Sequence, residues 1–129
     1  MRVALAAAVL AAAVLAAPAA ATPLDRLTVT VWHDGRPGPS ETWTLHCRPT
    51  GGTHPARASA CRTLARLDAP FRPVPRDAVC TQIYGGPQEA LVTGTFRGQR
   101  VWARFNLRGG CEIARWNRLS PLLPRGGAA

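Results

Sequence analysis

The chain has 129 residues, with 16 basic residues, all of them Arg, against seven acidic ones, for a formal net charge of +9. That length allows one domain, with a core that is modest without covalent help. The arginines are scattered without a run of three, which excludes a dedicated nucleic-acid stripe readable from sequence, although the excess charge favours anionic surfaces at long range. An Ala-, Arg-, Gly- and Pro-rich chain without Lys has the composition of GC-rich codon usage; that explains Arg over Lys, but not the surplus of base over acid.

The first residues read as an address. Met1-Arg2 is a short basic region, Val3 to Ala17 is an almost unbroken Ala/Val/Leu run, and Pro18 with Ala19-Ala20-Ala21 fits a small-x-small cleavage site. The run is short of the about 20 residues a membrane span needs. We read 1–21 as a signal peptide and 22–129 as a single domain. Cleavage after Ala21 leaves 108 residues; Arg2 departs, and fifteen bases against seven acids leave +8.

Leu27 to Trp32 alternates apolar and polar residues, the period of a half-buried strand. Asp34-Gly35-Arg36-Pro37-Gly38-Pro39 is a turn. Glu41 to Cys47 alternates again, with Trp43, Leu45 and Cys47 on one face, so the two segments predict an antiparallel hairpin. Arg48 to Pro55 reads as a loop. From Ala56 to Leu67 the period changes: Ala60, Leu64 and Leu67 recur at helical spacing, with Arg57, Arg62 and Arg66 largely off that stripe. Pro70, Pro73 and Pro75 enforce an irregular path to Val79-Cys80. Two further strands follow at Ala90–Phe96 and Arg100–Leu107, joined by a tight turn at Arg97-Gly98. On the second, Val101, Ala103, Phe105 and Leu107 oppose Arg100, Trp102 and Arg104. Glu112 to Leu119 predicts a short helix with Ile113, Trp116 and Leu119 on one side. Pro121, Pro124 and the tail at 126–129 stop regular structure. The sum is α+β, an antiparallel sheet with helices on one face.

Four cysteines in an exported chain predict two disulfides, with three possible connectivities. Joining sequential neighbours would close loops worth about 3–4 kcal/mol each. No pair has CxxC spacing and the histidines fall outside a Cys₂His₂ pattern, so no metal and no cofactor is expected. His33, His46 and His54 read as structural. Ser40, Ser59 and Ser120 lack a Gly-flanked nucleophile context, so the chain is not expected to be an enzyme.

Cys80-Thr81-Gln82-Ile83-Tyr84-Gly85-Gly86-Pro87 is the most informative stretch. A half-cystine starts it, glycines and a proline end it, and nothing catalytic lies between. A loop held in one shape by a covalent strut is what a protease inhibitor offers its target, because binding then loses little conformational entropy. Together with Leu45-His46-Cys47-Arg48-Pro49, Gly52-Thr53-His54-Pro55, Ala60-Cys61-Arg62-Thr63-Leu64, Gly94-Thr95-Phe96-Arg97-Gly98 and Cys111-Glu112-Ile113, it resembles the Streptomyces-type subtilisin inhibitors, small secreted inhibitors of serine proteases.

The resemblance implies a five-stranded antiparallel sheet with two helices, disulfides Cys47–Cys61 and Cys80–Cys111, and a homodimer formed through the sheets. It places the bond offered to the protease at Gln82-Ile83. Gln82 would be P1, the residue entering the primary pocket, with Cys80 at P3, Val79 and Thr81 on the non-primed side and Tyr84 on the primed side. Two departures stand out. Gln82 replaces the family's common Met, Lys or Arg, which favours subtilisin-like over trypsin-like targets. Gly109 stands where many members carry an Asn that supports the loop by hydrogen bonding, which removes that brace. Trp32 and Trp102, on the nominally outer strand faces, are the candidates for the dimer contact, with Trp43 and Trp116 read as core or dimer-face residues. The rival readings are a basic secreted module for an anionic polymer, resting on the charge of +8, and a small hydrolase, resting on the histidines alone.

Overall fold

Leu27, Val29 and Val31 point into the core from β1 (Asp25–Trp32), while Arg26, Thr28, Thr30 and Trp32 take the opposite face. The computed structural model describes residues 4, 7–17 and 21–125; the cleavage site expected around 18–21 and the tail at 126–129 therefore fall largely outside the described residues. β1 is the central strand. It pairs with β2 (Glu41–Cys47), Leu27 opposite Leu45, and β2 pairs with the two-residue β3 (Gly51–Gly52). After α1 (Arg57–Arg66), β4 (Tyr84–Phe96) pairs with the other side of β1, Val29 opposite Val92, and β5 (Gln99–Arg108) forms the far edge. The sheet order is β3-β2-β1-β4-β5, antiparallel throughout. α1 and α2 (Gly110–Arg118) share one face of it.

That face holds a single core. Ala60 and Leu64 of α1, Trp116 of α2 and the following Leu119 meet Leu27, Val29, Val31, Leu45, Val92 and the β5 row Val101, Ala103, Phe105 and Leu107. Two disulfides staple it. Cys47–Cys61 joins the end of β2 to the middle of α1, and Cys80–Cys111 joins the loop before β4 to the first turn of α2, with Cα separations of 5.7 and 5.4 Å.

Four details depart from the sequence reading. The fifth strand is Gly51-Gly52, inside the segment read as a loop; two glycines carry no side-chain alternation to flag a strand. β4 begins at Tyr84, not Ala90, because a register shift between Tyr84 and Glu89 breaks the period of two. α2 begins at Gly110, which puts Cys111 inside the helix. Beyond α2, Leu122 and Leu123 are fully buried, and the Trp116 indole N–H donates to the Pro124 carbonyl at 2.7 Å. His54 is buried against the same segment. Its Nδ1 accepts the Ala56 N–H at 3.0 Å, which puts the ring proton on Nε2 for the 2.8 Å bond to the Leu122 carbonyl.

A buried carboxylate ties three corners together. Asp25 accepts bonds from Arg48 Nε and Nη2 at 3.0 and 3.1 Å and from the Arg97 backbone N–H at 2.9 Å. Both arginines have left-handed backbones, φ 54° and 49°. Arg97 and Gly98 (φ 75°) form the two-residue β4–β5 hairpin turn, whose two positive φ values match the strand twist. The Arg97 guanidinium then donates to the carbonyls of Leu64, Leu67 and Asp68 at 2.9–3.0 Å, closing the C-terminus of α1. One turn residue therefore serves the hairpin, the helix end and the buried acid.

Burial by itself would raise the Asp25 carboxyl, but the hydrogen bonds from Arg48 and Arg97, with their charges, outweigh it and hold the group below its ordinary 3.8. Replacing Asp25 by Ala, which strands the Arg97 N–H, is expected to cost about 1–3 kcal/mol in urea unfolding at neutral pH. The carboxylate's contribution is complete above the unfolded value of 3.8 and is lost as pH falls through the lower folded value. The stability gap between wild type and Asp25→Ala should accordingly shrink on acidification below that range, and a gap constant with pH would contradict the assignment.

Candidate functional site

Between α1 and β4 the chain runs through Pro73, Pro75 and Cys80 without regular structure and reaches the sheet only at Tyr84, which pairs with Arg108. The prolines explain the irregularity, since each fixes φ and withholds an N–H. The apolar side chains at the tip face solvent. Val79 is fully exposed, Ile83 is 55% exposed and Tyr84 70%. Thr81 and Gln82 are exposed as well, and Cys80 is half-buried. All six residues singled out from sequence thus share one exposed ridge.

The backbone of the ridge is fastened on both sides of the Gln82-Ile83 peptide. The Gly110 N–H donates to the Thr81 carbonyl at 2.8 Å and the Gly109 N–H to the Ile83 carbonyl at 2.7 Å. The Cys80–Cys111 bridge adds a covalent tie two residues upstream of Gln82. The N-terminus of α2 leaves its first N–H groups without helical partners, and the loop carbonyls occupy two donors at that end. Ile113 N–H to Gly109 O at 3.0 Å starts the helix proper. Loop and helix therefore share one hydrogen-bonded junction.

Gly109 has φ 95° and ψ 151°, a region essentially restricted to glycine. That conformation aims its N–H at Ile83. At Gly110 a Cβ would run into the Thr81 side chain, so the absence of a side chain there permits the close approach. Gly109 carries no side chain to brace the loop; its N–H and that of Gly110 are the donors that the loop carbonyls meet. Sequence reasoning missed this, and the only available signal was the Gly-Gly pair immediately before the fourth cysteine.

A second unforeseen residue supports the ridge from behind. Arg115 of α2 is buried, with its guanidinium 4.0 Å over the Phe105 ring. It donates from Nε to the Arg72 carbonyl at 2.8 Å and from Nη1 to the Arg104 carbonyl at 2.7 Å, with Glu112 Oε2 at 3.4 Å. Burial pulls its pKa below the usual guanidinium value, against the opposing pull of Glu112. On the primed side, Glu89 lies 3.8 Å from both Arg36 and Arg108 and accepts the Arg36 N–H at 2.7 Å, joining the β1–β2 turn to the strand beneath Tyr84.

The histidines do not gather. His33 pairs with Glu41 at 2.9 Å on the surface, His46 is half-buried on the outer sheet face, and His54 is held by backbone groups. Among the described residues no group of three His, Cys, Asp or Glu side chains could hold a metal ion. Ser59 bonds the Ala56 carbonyl, and no serine adjoins a histidine in these networks. Of the tryptophans, Trp102 is 62% exposed on the uncovered face, Trp32 is half-buried under Arg36, Trp43 packs edge-on to His54 and Trp116 is core.

An antiparallel sheet with two helices on one face and a disulfide-braced exposed loop defines the class, and comparison with known proteins gives it a family. A family model described as subtilisin inhibitor-like matches residues 20–106, about two thirds of the chain. Subtilisin inhibitor-like protein 5 of Streptomyces fradiae is 41% identical over 78 residues, covering 58% of this chain and 72% of the relative. A probable subtilase-type protease inhibitor of Streptomyces avermitilis is 41% identical over 66 residues, 49% of this chain and 45% of the relative. The subtilisin inhibitor of Streptomyces albogriseolus is 35% identical over 78 residues, 58% of this chain and 54% of the relative. The chain spans about half the length of the last two. It belongs to the subtilisin inhibitor-like family.

Because position 109 needs a glycine-only backbone, Gly109→Asn should not add a brace. It is expected to lower stability by about 1–3 kcal/mol and to loosen the Ile83 contact, read by urea unfolding and by the rate of loop cleavage.

Proposed function

We propose that the chain is a secreted inhibitor of subtilisin-like serine proteases, acting through the loop around Gln82-Ile83, and not an enzyme. Family membership and the printed names of its relatives support the class. The stretch read as a signal peptide at 1–21, Met1-Arg2 followed by an Ala/Val/Leu run, is the sequence feature that supports export. The observation that carries the reading is the pair of bonds from Gly109 and Gly110 to the carbonyls flanking the Gln82-Ile83 peptide, next to the Cys80–Cys111 tie.

Chemically, the exposed loop lies in the protease groove as an extended strand, with Val79 and Thr81 upstream and Tyr84 downstream. The target's serine attacks the Gln82 carbonyl carbon and would release the Ile83 amine. That amine stays where it was, because Gly109 holds the Ile83 carbonyl and β4 begins at the next residue. On the acyl side, Gly110 and the disulfide hold Thr81 and Cys80. Religation then outruns hydrolysis, and the complex persists by slow dissociation. Contacts of about 1,600 Å² are typical of such pairs. A neutral Gln82 gains little from a pocket that ends in a buried carboxylate and fits a broad, apolar one.

Titrating subtilisin with the mature protein should remove activity stoichiometrically, whereas full activity at large excess rejects the proposal for that target. Gln82→Lys should shift inhibition toward trypsin, and its failure to do so would mean that either the P1 assignment or the competence of the loop is wrong.

A second copy is the proposed occupant of the uncovered sheet face. Thr28, Thr93 and Trp102 lie in register across β1, β4 and β5 there, with Trp102 the largest exposed apolar group. Arg26 and Arg100 flank Thr95 on the same face, so stacking copies brings like charges together. Screening should therefore tighten the dimer as salt rises. Capture of an anionic polymer on that face would weaken with salt instead, and sedimentation at two ionic strengths separates the two.

A further inference from the structure

Pro73 to Val79, the arm that leads into the proposed reactive bond, borders an open cleft of about 500 Å³ whose other wall includes Leu67, Cys111 and Ala114. Apart from half-buried Val74, its residues are exposed, and its one internal main-chain bond runs from the Ala78 N–H to the Pro75 carbonyl at 3.1 Å. An exposed arm beside an open cleft takes much of its stiffness from its two ends. The downstream end is tied by Cys80–Cys111 and by Gly110. At the upstream end, Phe71 packs edge-on against Phe96 with ring centroids 5.4 Å apart, and Arg115 adds hydrogen bonds to the carbonyls of Phe71 and Arg72.

We infer that Arg115 is a positioning residue for inhibition, acting as the upstream clamp of the reactive-loop arm; this rests on the inhibitory reading above. Its fork spans two parts of the molecule. Nε and Nη2 donate to the carbonyls of Arg72 and Phe71, at 2.8 and 3.4 Å, immediately before the arm. Nη1 donates at 2.7 Å to the Arg104 carbonyl in the sheet. The plane lies over Phe105, and the backbone of Arg115 belongs to the same helix whose N-terminus holds Thr81 and Ile83. Both ends of the arm are thereby referred to α2, one through its first turn and one through its buried guanidinium. A planar donor fork can serve carbonyls in three directions at once, which a lysine ammonium on a flexible stem does less well. Charge alone is therefore insufficient. Without the fork, the acyl-side segment gains freedom after attack at Gln82, and water competes better with religation.

The test compares wild type, Arg115→Lys, Arg115→Gln and a control, Leu64→Ala, which removes core from α1 away from the arm. Three quantities are read well below the melting temperature of each variant: the inhibition constant against subtilisin, the rate at which the bound inhibitor is cut at Gln82-Ile83, and ¹⁵N order parameters of the free protein at Val74, Arg76, Ala78 and Val79. Arg115→Lys should weaken inhibition about tenfold, with cutting faster by a similar factor. Order parameters along the arm should fall from about 0.85 toward 0.6. Leu64→Ala should lower the melting temperature and leave all three unchanged. If Arg115→Gln does not fold, Arg115→Lys decides alone. A folded Arg115→Lys with wild-type cutting and arm order overturns the proposal, as does a Leu64→Ala control that moves all three readouts like Arg115→Lys. If wild type itself leaves subtilisin untouched, the inhibitory reading falls, and unchanged arm order in Arg115→Lys would still refute the clamp separately.

Discussion

The junction of the loop with the N-terminus of α2 is the contact on which the rest of the site depends. A helix start has N–H groups without internal partners, and an exposed loop has carbonyls that would otherwise be left to water. Here two members of each set satisfy one another, Gly110 with Thr81 and Gly109 with Ile83. Each such bond contributes only about 1 kcal/mol net. Their importance lies in position, on either side of one peptide bond, with Gly109 supplying a positive φ and Gly110 leaving room for the Thr81 side chain. The disulfide supplies connection, and the hydrogen bonds supply direction.

A junction of this kind is only as firm as the body that carries α2. Trp116, Leu119, Leu122 and Leu123 sink the helix and the chain beyond it into the core, and His54 links that segment to the turn before α1. At the opposite end, Asp25 and Arg97 lock the β4–β5 turn to the end of α1. The sheet between them joins β2, β1, β4 and β5 by continuous pairing except at the register shift between Tyr84 and Glu89, so displacement at one end is resisted by the hydrogen-bonded ladder. The loop is irregular in path and has a regular foundation.

Much of this was legible in the sequence. Period-two alternation placed β1, β2 and most of β4 and β5, because each strand has one buried face, and helical spacing at Ala60 and Leu64 placed α1. The exposed loop from Cys80 to Pro87 was legible in its cysteine, glycines and proline, while Val79 to Tyr84 as contact residues came only from the family resemblance. What escaped was long-range or main-chain in nature. Gly51-Gly52 pairs through backbone alone, and the shift after Tyr84 hides the start of β4. Leu122 and Leu123 lie among prolines that suggested an end to structure. Arg115 is one of 16 basic residues and is distinguished only by what folds around it. At Gly109 the contact with the loop is made by the main-chain N–H to the Ile83 carbonyl, which no side-chain pattern announces.

The covalent tie between Cys80 and Cys111 also carries information about when the molecule becomes what it is. Before the two sulfurs join, the ridge hangs on hydrogen bonds of modest strength. The ridge therefore reaches its final stiffness only once that bridge has closed, whatever the state of the sheet that carries it.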